Sequence, residues 1–317
     1  MLNIRKCAII GCGNVGATVA YTLMIDGIFS EIVLIDTNQR KAEGEAMDLN
    51  HGMPFGSPCN IYAGTYRDLT DCYLIIITAG AGQKPGETRL ELVKKNSAIF
   101  RSIIDSIAEY NREAVLLVVT NPVDILTYVT LRLSGFPPER VIGSGTVLDT
   151  ARLKYLLGQR FGVDSRNVHA FILGEHGDSE LPIFSSANVS GVDLNRYDAL
   201  CGQDSQTLNE LFSDVKSSAY RIIEAKGATY YAIGESVKRI CRALVRDENA
   251  ILPVSVFARG EYGIHDICLG LPSIVGIGGI KRVLEIPLSE QERFLLRASA
   301  AALKKAAEEL DPTPSAV

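Results

Sequence analysis

Lys6-Cys7-Ala8-Ile9-Ile10-Gly11-Cys12-Gly13-Asn14-Val15-Gly16 and, twenty residues beyond Gly16, the end of Ile32-Val33-Leu34-Ile35-Asp36 decide the fold. Cys7 to Ile10 is a continuous apolar run, as a strand buried on both faces requires. Gly11, Gly13 and Gly16 follow at G-x-G-x-x-G spacing, and Val15 to Met24 carries apolar residues at helical spacing. Gly11 permits a tight turn, Gly13 lets the backbone approach a pyrophosphate, and Gly16 lets helix and strand pack closely. The helix N-terminus offers unpaired N–H groups to phosphate. Asp36 closes the second strand, where a carboxylate accepts both ribose hydroxyls of NAD and repels a 2′-phosphate. A bare triplet of glycines is a weak signal; strand, glycines, helix, strand and acid in one unit specify a dinucleotide.

The same pattern spreads outward. Residues 38–50 read as a helix, 51–59 as a loop and Asn60 to Ala63 as a strand. Tyr73 to Thr78 is another buried strand, Leu90 to Tyr110 a long helix, Val115 to Val119 a strand, and Val141-Ile142 the sixth. Strands alternating with helices call for a doubly wound parallel α/β sheet over residues 1–143. Ligands in such sheets sit beyond the strands' carboxyl ends, and Gly11, Asp36, Gly80 and Asn121 all fall there. Residues 144–317 change texture and read as an α+β domain. Helices are expected from Asp149 to Phe161, over 205–226, 229–246 and 289–310. A strand is expected from Asn167 to Leu173, and antiparallel strands over 250–288. Asp311 to Val317 reads as a frayed tail.

The 317 residues suffice for one large or two medium domains, and 47% hydrophobic with 22% charged content is ordinary for a globular chain. A net charge of −5 without a basic tract argues against nucleic acid. No apolar run reaches a membrane span's ~18 residues. The first strand begins within six residues, so no secretory leader is expected. The seven cysteines contain no C-x-x-C pair; Cys7 and Cys72 read as reduced core residues of a cytoplasmic protein, and no metal site is expected.

In residues 79–89, Ala-Gly-Ala-Gly-Gln-Lys-Pro-Gly-Glu-Thr-Arg, the small residues at 79–82 let the backbone pass close to a ligand, and the polar remainder reads equally well as a closing lid or as an ordinary surface loop. Of four histidines, His176 stands apart in Gly174-Glu175-His176-Gly177-Asp178-Ser179. Two glycines and two acids make poor core surroundings, whereas His51 and His265 have no such setting. A lone histidine is as often structural as catalytic. Nicotinamide chemistry favours the second reading, because alcohol oxidation needs a base and carbonyl reduction an acid, and imidazole serves as both near neutrality.

Gly11–Gly16, Asp36, residues 79–89, Thr120-Asn121-Pro122-Val123-Asp124, Val147-Leu148-Asp149-Thr150-Ala151-Arg152, Gly174–Asp178 and Lys226-Gly227-Ala228-Thr229 together resemble the lactate/malate dehydrogenase family, on its bacterial lactate-type side. The similarity runs from about residue 4 to 310. It implies that His176 is the proton donor and acceptor, with Asp149 as its carboxylate partner. Arg152 would bind the substrate carboxylate bidentately. Arg89 would polarise the carbonyl. Asn121 would touch cofactor and substrate, with Asp124 and Thr229 completing the substrate site. Val15, Lys41, Tyr66, Gly80, Ala81, Ser102, Val119 and Ser144 would join Gly11, Gly13, Gly16 and Asp36 around NAD. Taken singly, Arg152 reads as a helix-surface charge, Asp149 as a helix cap, Thr229 as a first-turn residue and Arg89 as a solvated cation.

Gln83 bears on the substrate. The malate side of the family carries arginine there for a second carboxylate; a neutral amide offers no counter-charge, so the resemblance implies pyruvate and lactate. A bulkier, branched 2-oxo acid, or malate, is the alternative substrate, and a catalytically silent NAD-binding protein the alternative class. Gly82 stands where bacterial relatives often have asparagine. The resemblance also implies a cytoplasmic homotetramer and a fructose 1,6-bisphosphate site at Lys154 and His169. Lysine replaces the family's arginine in that pair, giving a point charge without the fork.

Overall fold

The apolar runs become strands shut off from water on both faces: Cys7–Ile9, Leu74–Ile77 and Leu116–Val118 are fully buried. The computed structural model describes residues 1–82, 86, 89–201 and 207–310, with the backbone alone at 89, 90, 198, 200 and 201. In it β1 (Asn3–Ile10), β2 (Glu31–Ile35), β3 (Asn60–Ala63), β4 (Cys72–Ile77), β5 (Val115–Val118) and β6 (Val141–Gly143) pair in parallel in the order β6-β5-β4-β1-β2-β3. Helices α1 (Asn14–Asp26), α2 (Gln39–His51), α3 (Arg89–Tyr110) and α4 (Val123–Ser134) make the connections. Strand order reverses between β1 and β4, the place where an open parallel sheet forms a ligand crevice.

The second half holds α5 (Val147–Phe161), β7 (Val168–Leu173), β8 (Leu181–Val189), β9 (Val192–Asp193), α6 (Leu194–Cys201), α7 (Leu208–Lys226), α8 (Tyr231–Val245), β10 (Ala250–Arg259), β11 (His265–Gly276), β12 (Gly279–Val283) and α9 (Glu290–Glu308). β10, β11 and β12 are the antiparallel strands expected over 250–288. They do not form a sheet of their own. β10 joins the edge of β6 through Ser255 opposite Gly143, so one nine-stranded sheet runs from β12 to β3. β7, β8 and β9 form a separate antiparallel sheet.

A second apolar cluster lies under that sheet. Leu153 and Leu157 of α5 pack there with Val168 and Ile172 of β7, Val189 of β8, and Leu211 and Val215 of α7. Burying a leucine or valine contributes roughly 1.5–3 kcal/mol each. The cluster therefore fixes α5 firmly, and with it the side chains of the first turn. α5 begins at Val147, two residues before the expected start, so Asp149 is a first-turn residue and not the cap, which is Thr146. Among the described residues no helix is long and apolar enough to cross a membrane.

Candidate active site and dinucleotide crevice

The glycines do what their spacing demands. Gly11 has φ +100°, and a Cβ there would lie 2.5 Å from the backbone N of Ala79, so β1 and β4 approach too closely for any side chain. A Cβ on Gly16 would overlap the carbonyl oxygen of Gly11, whose oxygen also accepts the Thr78 hydroxyl at 2.6 Å. Gly13, the N-cap of α1, has open space where a Cβ would stand. Backbone packing thus closes the crevice at Gly11 and Gly16 and leaves it open at Gly13, as a pyrophosphate requires. Half-buried Asp36 accepts the N–H groups of Cys12 and Asn38, at 2.7 and 2.8 Å. Those bonds aim its carboxylate from the end of β2 and leave lone pairs for hydroxyl groups.

The other expected cofactor contacts differ in setting. Gly80, Ala81, Val119 and Ser144 lie at or just past the ends of β4, β5 and β6. The Ser144 N–H bonds the Val118 carbonyl at 2.8 Å. Val15 lies in the first turn of α1 and Lys41 is exposed at the start of α2. Tyr66 borders a cleft with Ser106 and Tyr110 of α3, and Ser102 is exposed one turn earlier on that helix.

Asn96 was not singled out by the motifs. It is fully buried on α3. Its side-chain oxygen accepts the Ala81 N–H at 2.8 Å, and its NH₂ donates to the carbonyls of Asn121 at 3.2 Å and Ala81 at 3.3 Å. One amide therefore ties the turns after β4 and β5 to α3. An asparagine among the apolar positions of a helical repeat was the available signal.

The chemistry gathers around α5. Asp149 is buried in its first turn, where the helix dipole favours an anion. One of its oxygens lies 2.6 Å from Nδ1 of His176, and the other accepts Nη1 of Arg152 at 2.9 Å, one turn along the same helix face. His176 itself is pinned from three sides. Its backbone N–H donates to Asp124 of α4 at 2.7 Å. Gly174 pairs with Gly270 of β11, and the Glu175 N–H bonds the Ser299 hydroxyl of α9 at 2.9 Å.

Burial alone would lower the proton affinity of His176. The charge and hydrogen bond of Asp149, followed by the charges of Asp124 and Glu180, outweigh it and raise the pKa to about 9. Burial pushes Asp149 up, yet His176 and Arg152 hold it below its ordinary value. Asp124 is fully buried, and that burial raises it to about 6 although it accepts the His176 N–H.

His176, Asp149, Arg152, Asn121 and Glu180 line one cavity of about 420 Å³. Thr229, between α7 and α8, faces a neighbouring apolar cavity of about 310 Å³ that shares Arg152. Asp124 meets the site through the His176 backbone and does not line either cavity. Gln83 lies outside the described residues, and of Arg89 only its place as first residue of α3 is described. Lys154 is half-buried on α5 and His169 is exposed on β7. His51 and His265 are exposed, and Cys7, Cys12, Cys72, Cys241 and Cys268 are buried and unpaired.

Comparison with known proteins bears on the chain as a whole. The family model for the lactate/malate dehydrogenase NAD binding domain matches residues 5–143, and that for the α/β C-terminal domain matches residues 146–311. An L-lactate dehydrogenase of Acetivibrio thermocellus is 54% identical over 310 residues, covering 97% of this chain and 98% of its own. L-lactate dehydrogenase 1 of Clostridium acetobutylicum is 53% identical over 302 residues, covering 95% and 96%. The ligand-bound crystal structure of the minor L-lactate dehydrogenase of Enterococcus mundtii superposes with a TM-score of 0.95 at 43% identity, over 97% of this chain and 99% of that one.

Proposed function

The chain belongs to the lactate/malate dehydrogenase family and is an NAD-dependent dehydrogenase of its L-lactate type, and on that premise we propose that His176 and Asp149 form the proton relay for reduction of pyruvate to (S)-lactate. The observation that carries this reading is the shared carboxylate: Asp149 holds the His176 ring with one oxygen and the Arg152 guanidinium with the other. A proton donor and a carboxylate-binding fork are thereby fixed in relation to each other on the wall of one cavity.

NADH, when bound along the crevice of Gly13 and Asp36, supplies the hydride. Arg152 spends one N–H on Asp149 and keeps the rest of its fork for the substrate carboxylate. His176, with Nδ1 engaged, presents Nε2 to the substrate oxygen and gives its proton as negative charge develops there. The resulting neutral imidazole is again a base for the reverse reaction. Asp149 stays ionised throughout, fixing the tautomer and stabilising the cationic ring. Arg89 would polarise the carbonyl, Gln83 would select the substrate's methyl group over a second carboxylate, and residues 80–90 would close over the site. These assignments rest on the family pattern. The division at residue 143/144 into cofactor and substrate halves rests on the end of the strand–helix alternation, and the cytoplasmic location on the reduced cysteines.

A homotetramer has one further support, the exposed Tyr155, Tyr220 and Tyr231, apolar surface that a subunit contact would cover. Fructose 1,6-bisphosphate would bind at Lys154 and His169, and rates with and without it test that assignment.

Following NADH absorbance with pyruvate, oxaloacetate and 2-oxoisocaproate tests the substrate assignment. Pyruvate should give the highest kcat/KM. A preference for 2-oxoisocaproate would favour the bulkier-substrate reading, for which the apolar cavity beside Thr229 provides room. Absence of turnover with all three would leave an NAD-binding protein.

A further inference from the structure

Glu180, four residues beyond His176, belongs to no motif used above, yet it is only 8% exposed and lines the cavity that holds His176 and Arg152. Its carboxyl has no hydrogen-bond or ion-pair partner among the described residues. Its backbone N–H bonds the Gly177 carbonyl at 3.2 Å, which fixes the turn leading out of the His176 loop. One polar atom each from Asp149, His176 and Glu180 lie within 4.8 Å of one another.

We propose that Glu180 is a positioning residue of the proton relay: its carboxyl forms the third corner of a triangle with Asp149 and His176, and its ionisation governs the pH at which His176 gives up its proton. The proposal rests on the reading of His176 as proton donor. A buried carboxyl beside an ionised one resists ionisation. Burial, and then the charge of Asp149, push Glu180 up to about 8, against the pull of His176, Lys216 on α7 and Arg152 on α5. Asp124 behind the loop adds a further charge on His176, Lys216 also donates to the Asp178 carbonyl, and Glu175 bonds the Ser179 hydroxyl.

At neutral pH Glu180 therefore carries a proton and adds no negative charge beside an incoming anionic substrate. Once ionised at higher pH, it places a second anion beside the imidazole. The new anion then makes the proton on the imidazole harder to lose. The two groups act as a stepwise buffer, and the proton needed for ketoacid reduction persists to higher pH than Asp149 alone would hold it.

The test compares pH profiles of kcat/KM for pyruvate in wild type, Glu180→Gln and Glu180→Asp, with thermal melts of each. Glutamine is close in shape but cannot ionise. Its alkaline limb should fall about one pH unit below that of wild type, and the wild-type advantage should grow roughly 3- to 10-fold between pH 7 and 9. Aspartate should restore part of the limb. In wild type, a ring-labelled His176 resonance should titrate in two steps. A Glu180→Gln profile parallel to wild type at every pH, or a single-step His176 titration, overturns the inference. His176→Gln separates the two levels. Retained turnover in that variant overturns the proton-donor reading and this inference with it, while lost turnover beside an unshifted Glu180→Gln profile overturns the inference alone.

Discussion

Nδ1 of His176 lies 2.6 Å from Oδ2 of Asp149, and against the effect of burial this contact raises the proton affinity of the ring. Its consequence follows from the direction of each shift. His176 rises from the ordinary 6.5 to about 9, so the protonated form that pyruvate reduction needs persists until about that pH. Asp149 is lowered, so it remains an anion across the same range. Asp149→Asn removes the largest opposing charge and leaves burial, which depresses His176, opposed only by Asp124 and Glu180. The alkaline limb of kcat/KM for pyruvate should move to lower pH, with a loss at neutral pH of roughly 10²–10⁴-fold. Stability has the same sign: His176 binds its proton more tightly in the folded chain, so its contribution is complete below 6.5 and vanishes as pH rises to about 9. Steady-state pH profiles and melts from pH 6 to 10 check both expectations.

The first half was legible because its signals are local. Apolar runs such as Tyr73–Thr78 need only their own residues to declare a two-sided burial, and the glycine spacing carries its own steric reason. The second half depends on distant partners. Nothing in Ala250–Arg259 says that Ser255 will sit opposite Gly143 and extend the first sheet. β8 escaped notice although its burial alternates from Leu181 to Val189, since Pro182 and the serines at 185 and 186 dilute the apolar pattern. Asn96 and Glu180 act through contacts that converge only in the fold. His176 stands out by its own flanking residues, Asp149 and Arg152 only through the family pattern, and the structure supplies the shared carboxylate that joins them.

Asn96 holds the turns after β4 and β5 with a single amide, so losing it should loosen both. Asn96→Leu keeps the approximate volume and leaves the Ala81 N–H without its acceptor, at a cost of about 1–3 kcal/mol. We expect a lower melting temperature together with weaker NADH binding by calorimetric titration. Asn96→Asp retains the acceptor and should recover part of the stability. A normal NADH affinity in a destabilised Asn96→Leu protein would confine the residue to folding.

Two glycine substitutions should behave in opposite ways. A methyl at Gly16 overlaps the Gly11 carbonyl, so Gly16→Ala should abolish NADH binding or soluble expression. Gly44 lies within α2 with open space around a Cβ. Gly44→Ala should be neutral or stabilising by up to about 1 kcal/mol, because alanine loses less backbone entropy in a helix. Melts and NADH titrations of the two variants separate a crevice glycine from an incidental one.

Gln83→Arg tests the substrate assignment from the side of selectivity. The cavity already contains one guanidinium, Arg152, proposed for the substrate carboxylate, whose fork is partly engaged by Asp149. A second cation at position 83 would supply a partner for the distal carboxylate of oxaloacetate and leave the methyl of pyruvate against a charge. A charge-assisted hydrogen bond contributes about 1.5–3 kcal/mol, so the ratio of kcat/KM for oxaloacetate over pyruvate should rise roughly 10- to 100-fold. The rise should come mainly through KM for oxaloacetate, because the proton relay is untouched. If wild type already prefers oxaloacetate, or if the substitution leaves the ratio where it was, residue 83 does not set the choice, and discrimination must come from the cavity walls around Arg152 and Thr229.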